Sequence, residues 1–171
     1  MKKFIAGKSI NLRDVEIDDA EFILGLRCNE EKSKFLHKTD NSLDEQIKYI
    51  ENYKNKNNEW YFIIESKDHE RLGTIRIYDV QGDDFCWGSW LVKDGAPVTT
   101  GVASAVLLYE YAFYELGFNK VHFDVRKENL RVREFHKRFG AKCVREDDID
   151  AFYFYSKADY ENVRDKYSKF I

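Results

Sequence analysis

The sequence predicts an α/β (α+β) protein, a twisted mixed sheet covered by helices on both faces. Three runs rich in aromatic and β-branched residues, Trp60 to Glu65, Arg71 to Val80 and Phe85 to Val92, follow one another with only short turns between them, which reads as an antiparallel meander. Gly101 to Leu116 then carries apolar residues nearly all round, the pattern of a buried helix. Directly after it, Val121, Phe123 and Val125 alternate with His122, Asp124 and Arg126, so a strand–helix–strand unit joins the meander.

The remaining elements fall into place around these. Ser9 to Val15 reads as a first strand, with Ile10, Leu12 and Val15 apolar. Asp18-Asp19 open a helix through Phe22, Ile23 and Leu26. Ser42 and Glu45 have the spacing of a capping box, and Ile47, Ile50 and Tyr53 mark the buried stripe of the helix they start. Asp68-His69-Glu70 and Gly82-Asp83-Asp84 supply the turns of the meander, and Gly117 ends the long helix. A further helix carries Val132, Phe135, His136 and Phe139 on one stripe and stops at Gly140. Strands at Lys142 to Arg145 and Ala151 to Tyr155 complete the sheet, and Ser156 caps a last helix with Tyr160, Val163 and Tyr167 on one face. The order is β-α-α-β-β-β-α-β-α-β-β-α, without a repeat or a linker, and 171 residues fit one domain spanning 1–171.

Composition excludes several functions. A net charge of −3, from 31 acidic and 28 basic residues interspersed along the chain, lacks the basic block of a nucleic-acid binder. No apolar run approaches the roughly 20 residues needed to span a bilayer, and the first residues lack the apolar stretch of a signal peptide, so no membrane association and a cytoplasmic location are expected. Cys28, Cys86 and Cys143 lie far apart, which reads as free thiols rather than a disulfide or zinc site; no metal is expected.

Five blocks then carry a resemblance: Trp87-Gly88-Ser89-Trp90-Leu91-Val92; Gly101-Val102-Ala103 through Tyr111-Ala112-Phe113; Glu115-Leu116-Gly117-Phe118-Asn119-Lys120-Val121; Lys127-Glu128-Asn129; and Phe135-His136-Lys137-Arg138-Phe139-Gly140-Ala141. In this order and spacing the chain resembles the GNAT N-acetyltransferases, in particular their ribosomal-protein and amino-sugar branches. The resemblance implies a sheet of about seven strands splayed between the fourth and fifth, and direct acetyl transfer from acetyl-CoA to a primary amine. It further implies that the backbone of Trp90, Leu91 and Val92 pairs with the pantetheine arm and polarises the thioester. The coenzyme pyrophosphate would meet Thr99, Thr100, Gly101, Val102 and Ala103, where backbone N–H groups and a helix dipole favour an anion. This loop departs from the family pattern, since Ala96-Pro97-Val98-Thr99-Thr100-Gly101 keeps only the last glycine. Asn129 aligns with a coenzyme-arm contact, and Arg133 on the same helix is a candidate for its phosphates.

For proton transfer, His136 aligns with the family tyrosine that protonates the leaving thiolate, against the alternative of a core histidine. The family's glutamate base is replaced by Cys86. His122 and Asp124, two apart on one strand face, offer an acid–base pair, against the alternative of a solvated face. Arg27, His37 and Trp60 lie in segments expected to border the acceptor. The Arg27-to-Gln46 stretch resembles enzymes acting on nucleotide-linked amino sugars, as used in surface-polysaccharide biosynthesis. A protein N-terminus as acceptor, or a non-catalytic coenzyme-binding module, are the other readings. A small-molecule amine partner and a monomer or homodimer are expected.

Overall fold

The computed structural model describes residues 3–29 and 42–171. His37 lies outside them. Eight strands form one sheet: β1 (Phe4–Ala6), β2 (Ile10–Asp14), β3 (Trp60–Ser66), β4 (Arg71–Gln81), β5 (Asp84–Val92), β6 (Lys120–Arg126), β7 (Lys142–Glu146) and β8 (Asp150–Ser156). Their spatial order is β1-β2-β3-β4-β5-β6-β8-β7, antiparallel throughout except for the β5–β6 pair. Among the described residues the α-helices are α1 (Ala20–Arg27), α2 (Leu43–Lys54), α3 (Thr100–Glu110), α4 (Leu130–Phe139) and α5 (Lys157–Val163).

The period-2 pattern of β3 divides the interior into two cores. Phe62 and Ile64 join Ile75, Ile77, Phe85 and Trp87 under α3, while Tyr61 and Ile63 pack on the other face with Ala20, Ile23, Ile50 and Tyr53 of α1 and α2. Helix ends follow local chemistry. Ser42 Oγ accepts the Glu45 N–H at 3.3 Å, Asn129 Oδ1 accepts the Val132 N–H, and Ser156 with Asp159 forms a full capping box. Gly140 closes α4 at φ +89°, a conformation that favours glycine.

Two expectations need correcting. The sheet has eight strands because Phe4–Ala6 pairs with β2; only Ile5 of its three residues is buried, too short a run to leave a periodic signal. The long helix is α-helical only to Glu110, and Tyr111–Glu115 widens into a π-turn closed by Leu116 N–H to Tyr111 O at 2.9 Å. The wider turn keeps both Ala112 and Phe113 buried, with Phe113 stacked on Tyr109.

A charged network fastens the β2–β4 end to the start of α1. Asp19 is 1% exposed and accepts both terminal nitrogens of Arg13 at 2.8 Å, Arg71 Nε at 2.7 Å and the Glu16 N–H at 2.8 Å. Arg13 also donates to Glu65 at 2.5 Å. Burial alone would raise the Asp19 carboxyl, but these bonds outweigh it and hold it below the ordinary carboxylate range. A carboxylate depressed by folding contributes stability that is present above its unfolded pKa and lost as pH falls through its folded value. Asp19→Ala leaves two arginines facing a buried gap and should cost about 3–5 kcal/mol in chemical denaturation, with part of the wild-type acid sensitivity removed. A cost below about 1 kcal/mol would show that the network contributes little.

Candidate active site

The parallel pairing of β5 and β6 lasts only two residues, Asp84 opposite Lys120 and Phe85 opposite Val121. Beyond that point β5 pairs with β4 alone and β6 with β8 alone. The edges from Cys86 to Leu91 and from His122 to Val125 therefore face each other across a gap with no strand between them.

Two irregularities shape this gap. Ser89 and Trp90 together oppose Ile75 of β4, a β-bulge in which Ser89 takes φ +48° and its carbonyl accepts Thr74 Oγ1 at 2.7 Å. A left-handed serine is held at a cost of about 1–3 kcal/mol, and such strain concentrates at functional positions. A second bulge sets Asp79 and Val80 opposite Phe85, with Asp79 also at φ +48°.

The helix side of the gap is aromatic. His136 of α4 lies 4.1 Å from the Phe123 ring on β6 and 5.5 Å from Trp87 on β5, so it sits where the two strands separate. It is 3% exposed, its Nδ1 has no hydrogen-bond partner, and burial lowers its pKa to about 3. The imidazole is therefore neutral at physiological pH. Trp90 reaches under the start of α3, where its Nε1 donates to Ser104 Oγ at 3.1 Å. A Cβ on Gly101 would stand 3.5 Å from the Trp90 ring.

At that helix end the Thr100 N–H bonds Pro97 O and the Ala103 N–H bonds Thr99 O, both at 2.9 Å, while the Gly101 and Val102 N–H groups between them have no backbone acceptor among the described residues. Val98 is 99% exposed, so the loop is open, and the buried Thr100 Oγ1 has no partner. Free amides, a buried unpaired hydroxyl and the positive end of an eleven-residue helix fit an anionic diphosphate. Leu91 and Val92 lead from the bulge toward this end on β5. Asn129 uses its side chain to cap α4. Arg133 donates to Tyr153 Oη at 3.0 Å, Lys127 O at 3.3 Å and Glu146 at 2.7 Å, so its hydrogen bonding is committed within the protein rather than left for a phosphate.

The opposite face is polar. His122 does not pair with Asp124; its Nδ1 meets Asp84 and its Nε2 meets Asp79, both at 2.8 Å. The reason is spacing. Residues two apart on a strand are separated by about 6.6 Å, whereas the bulge brings Asp79 within reach. Burial alone would lower the His122 pKa, but the two carboxylates outweigh it and raise it. His122 thus clamps β4, β5 and β6 together at the closed end of the gap. Asp124 is exposed on the same face, and its charge reaches Tyr78 and Cys86. Burial pushes the Cys86 thiol up to about 12, which disfavours a thiolate nucleophile.

The expected acceptor residues separate. Trp60 and Tyr61 are consecutive on β3 and point to opposite faces. Trp60 packs edge-on against Phe118 at 6.1 Å on the helix side, while Arg27 lies beside Tyr61 on the polar side. Sequence reasoning missed Ser89, Asp79, Asp84, Arg76 and Tyr78. Only Gly88 hinted at them: the Tyr78 hydroxyl lies 3.2 Å from where a Cβ on Gly88 would be.

The described residues contain no group of three His, Cys, Asp or Glu side chains able to hold a metal, and no helix long and apolar enough to cross a membrane. Residues 9–142 match the family model for the acetyltransferase (GNAT) domain. The solved structure of apo FdhC, a nucleotide-linked sugar GNAT, is 36% identical with a TM-score of 0.90, covering 99% of each chain. A GCN5-related N-acetyltransferase from Brucella melitensis, 14% identical, has a TM-score of 0.79 over 98% of this chain and 85% of its own. The spermidine/spermine N-acetyltransferase SpeG from Vibrio cholerae, solved in mutant form and 16% identical, has a TM-score of 0.76 over 91% of this chain and 98% of its own. These last two share the fold. No match is found among curated protein sequences. The chain belongs to the GNAT family and is an N-acetyltransferase.

The two histidines titrate with opposite consequences. A histidine held neutral by burial gives stability that is complete above its unfolded pKa of about 6.5 and declines toward pH 3, by up to about 1.4 kcal/mol per pH unit. His136→Phe should therefore flatten the acid side of a denaturation-versus-pH curve. His122, with a raised pKa, stabilises fully below about 6.5 and loses this as pH rises through its folded value, so His122→Asn should flatten the neutral-to-alkaline side. Curves parallel to wild type would refute both assignments.

Proposed function

We propose that the chain works as one acetyl-CoA-dependent domain, transferring acetyl directly to the amine of a small molecule, an amino sugar carried on a nucleotide. The observation that carries this reading is the gap between β5 and β6. It offers two unpaired backbone edges, a dry aromatic side at His136 and Trp87, and free amides of α3 at its open end. The acceptor class is supported by the 36% identity to a nucleotide-linked sugar GNAT over the full length of both chains.

Bound acetyl-CoA supplies an acyl thioester. The Gly101 and Val102 N–H groups bind the diphosphate, with Thr99, Thr100 and Ala103 shaping the turn. The edge at Trp90, Leu91 and Val92 aligns the pantetheine amides beside Asn129. The Ser89–Trp90 bulge supplies an N–H that stabilises charge on the carbonyl oxygen. Asp124, exposed toward the acceptor, takes the proton that the ammonium must lose before attack, directly or through one water. As the C–N bond forms and the C–S bond breaks, the nitrogen sheds its second proton to the sulfur, which leaves as the thiol; His136 stays neutral, donates a hydrogen bond to that departing sulfur and keeps other water out. His122 acts through position, fixing the apex of the gap. Arg27 borders the acceptor from α1, while Trp60 supports the sheet from the other side. Such a reaction on a soluble substrate suits the cytoplasm.

Acetyl-CoA should raise the melting temperature, and in a panel of nucleotide-linked amino sugars, free amino sugars, polyamines and peptide N-termini the first class should be acetylated best. Efficient transfer to peptides with none to any sugar would move the enzyme to the protein-acetylating branch. Asp124→Asn should lower turnover about 10²–10⁴-fold while leaving the acetyl-CoA melting shift intact. Turnover close to wild type would exclude Asp124 as the base.

A further inference from the structure

Arg76 is the unusual charge on the acceptor face. It lies on β4, opposite Gly88 of β5, just before the Ser89 bulge. Its guanidinium stands over the rings of Tyr78 at 4.2 Å, Tyr49 at 5.8 Å and Tyr61 at 5.9 Å. Nη1 donates to the Tyr49 hydroxyl, and Nε is buried with no acceptor. Among the described residues no carboxylate lies within ion-pair distance of it, whereas Arg13, Arg71, Arg126, Arg133 and Arg164 all have one. A guanidinium among aromatic faces keeps its net charge and much of its fork of donors. Tyr78 continues the row: its hydroxyl reaches Cys86 and Gly88 and feels the charge of Asp124 across the gap. The acceptor face thus runs from a cation at Arg76, along an aromatic ring, to a carboxylate at Asp124 on β6.

We infer that Arg76, oriented by Tyr49 and Tyr78, is the anion-recognising group of the acceptor site and takes the diphosphate of a nucleotide-linked amino sugar. The inference rests on the acceptor class proposed above and assigns the residue that reads it. A molecule with an ammonium at one end and a diphosphate at the other matches this polarity, ammonium to Asp124 and diphosphate to Arg76. A polyamine, cationic along its length, would bring like charge to Arg76. A planar guanidinium suits phosphate oxygens because two parallel N–H groups can be offered at once.

The test compares wild type with Arg76→Gln, Arg76→Lys and Tyr49→Phe, each checked by thermal melting. For Arg76→Gln, the ratio of kcat/KM on a nucleotide-linked amino sugar to that on the same sugar without its nucleotide should fall about 10- to 100-fold, the effect of a charge-assisted contact. Arg76→Lys should recover part of it, and Tyr49→Phe should lower the ratio less. Calorimetry with UDP and dTDP, with CoA saturating so that the α3 terminus is occupied, should show binding to wild type that weakens similarly in Arg76→Gln. An unchanged ratio, or diphosphate binding that is absent from wild type or equal in Arg76→Gln, overturns the inference. Arg76-dependent diphosphate binding in an enzyme that acetylates no amino sugar would instead sink the acceptor proposed above and leave the anion site standing. If Arg76→Gln does not fold, the lysine and Tyr49 variants carry the same comparison.

Discussion

The early end of the β5–β6 pairing is the constraint on which the molecule depends. Parallel strands normally continue to exchange backbone bonds, and unpaired amides inside a protein are costly. Here the strands separate after Phe85 and Val121, and the separation is held open from three sides. Trp87, Phe123 and His136 wedge it from the helix face. The Ser89 bulge bends β5 away, secured by Thr74. The His122 clamp to Asp79 and Asp84 stops the opening from running through the closed end. The strand edges that an ordinary sheet would pair are left facing each other across the gap.

The two faces of that slot differ in dielectric, and this divides the chemistry. On the helix face an imidazole is kept neutral among aromatic rings. On the other face carboxylates raise a second imidazole and leave Asp124 in contact with water. The same residue type therefore serves as a dry wall at one place and a charged clamp at another, by environment alone. The divergence from the family pattern before α3 is compatible with function for a related reason. The free N–H groups of Gly101 and Val102 are backbone, so they outlast changes in the side chains around them.

Alternation and turn chemistry made most of the fold legible. Lys120 to Arg126 and the meander emerge as read, as do the stops at Gly117 and Gly140, because each depends on neighbours in sequence. Phe4–Ala6 was invisible because three residues carry no period, and the π-turn after Glu110 because it answers to packing around Phe113 rather than to propensity. In the site, the order of motifs located the gap and the α3 terminus, and the stripe position of His136 located its ring.

What the sequence determined by itself is the order of elements, the faces they bury and the family they belong to, since these follow from local periodicity and from motif spacing. Register, and with it the partners of each charged group, was decided only in the tertiary structure. Two bulges in β4 and β5 shift the pairing by one residue each, and a shift of that size changes which side chains meet across strands. That is why His122 reaches Asp79 as well as Asp84, whereas the placement of Arg27 and Trp60 on opposite faces follows from the alternation of Trp60 and Tyr61 along β3. Arg76 stands among three tyrosines that lie 27, 15 and 2 residues away in the chain because β3 pairs Tyr61 with it, α2 brings Tyr49 onto the same face, and Tyr78 is its same-face neighbour on β4.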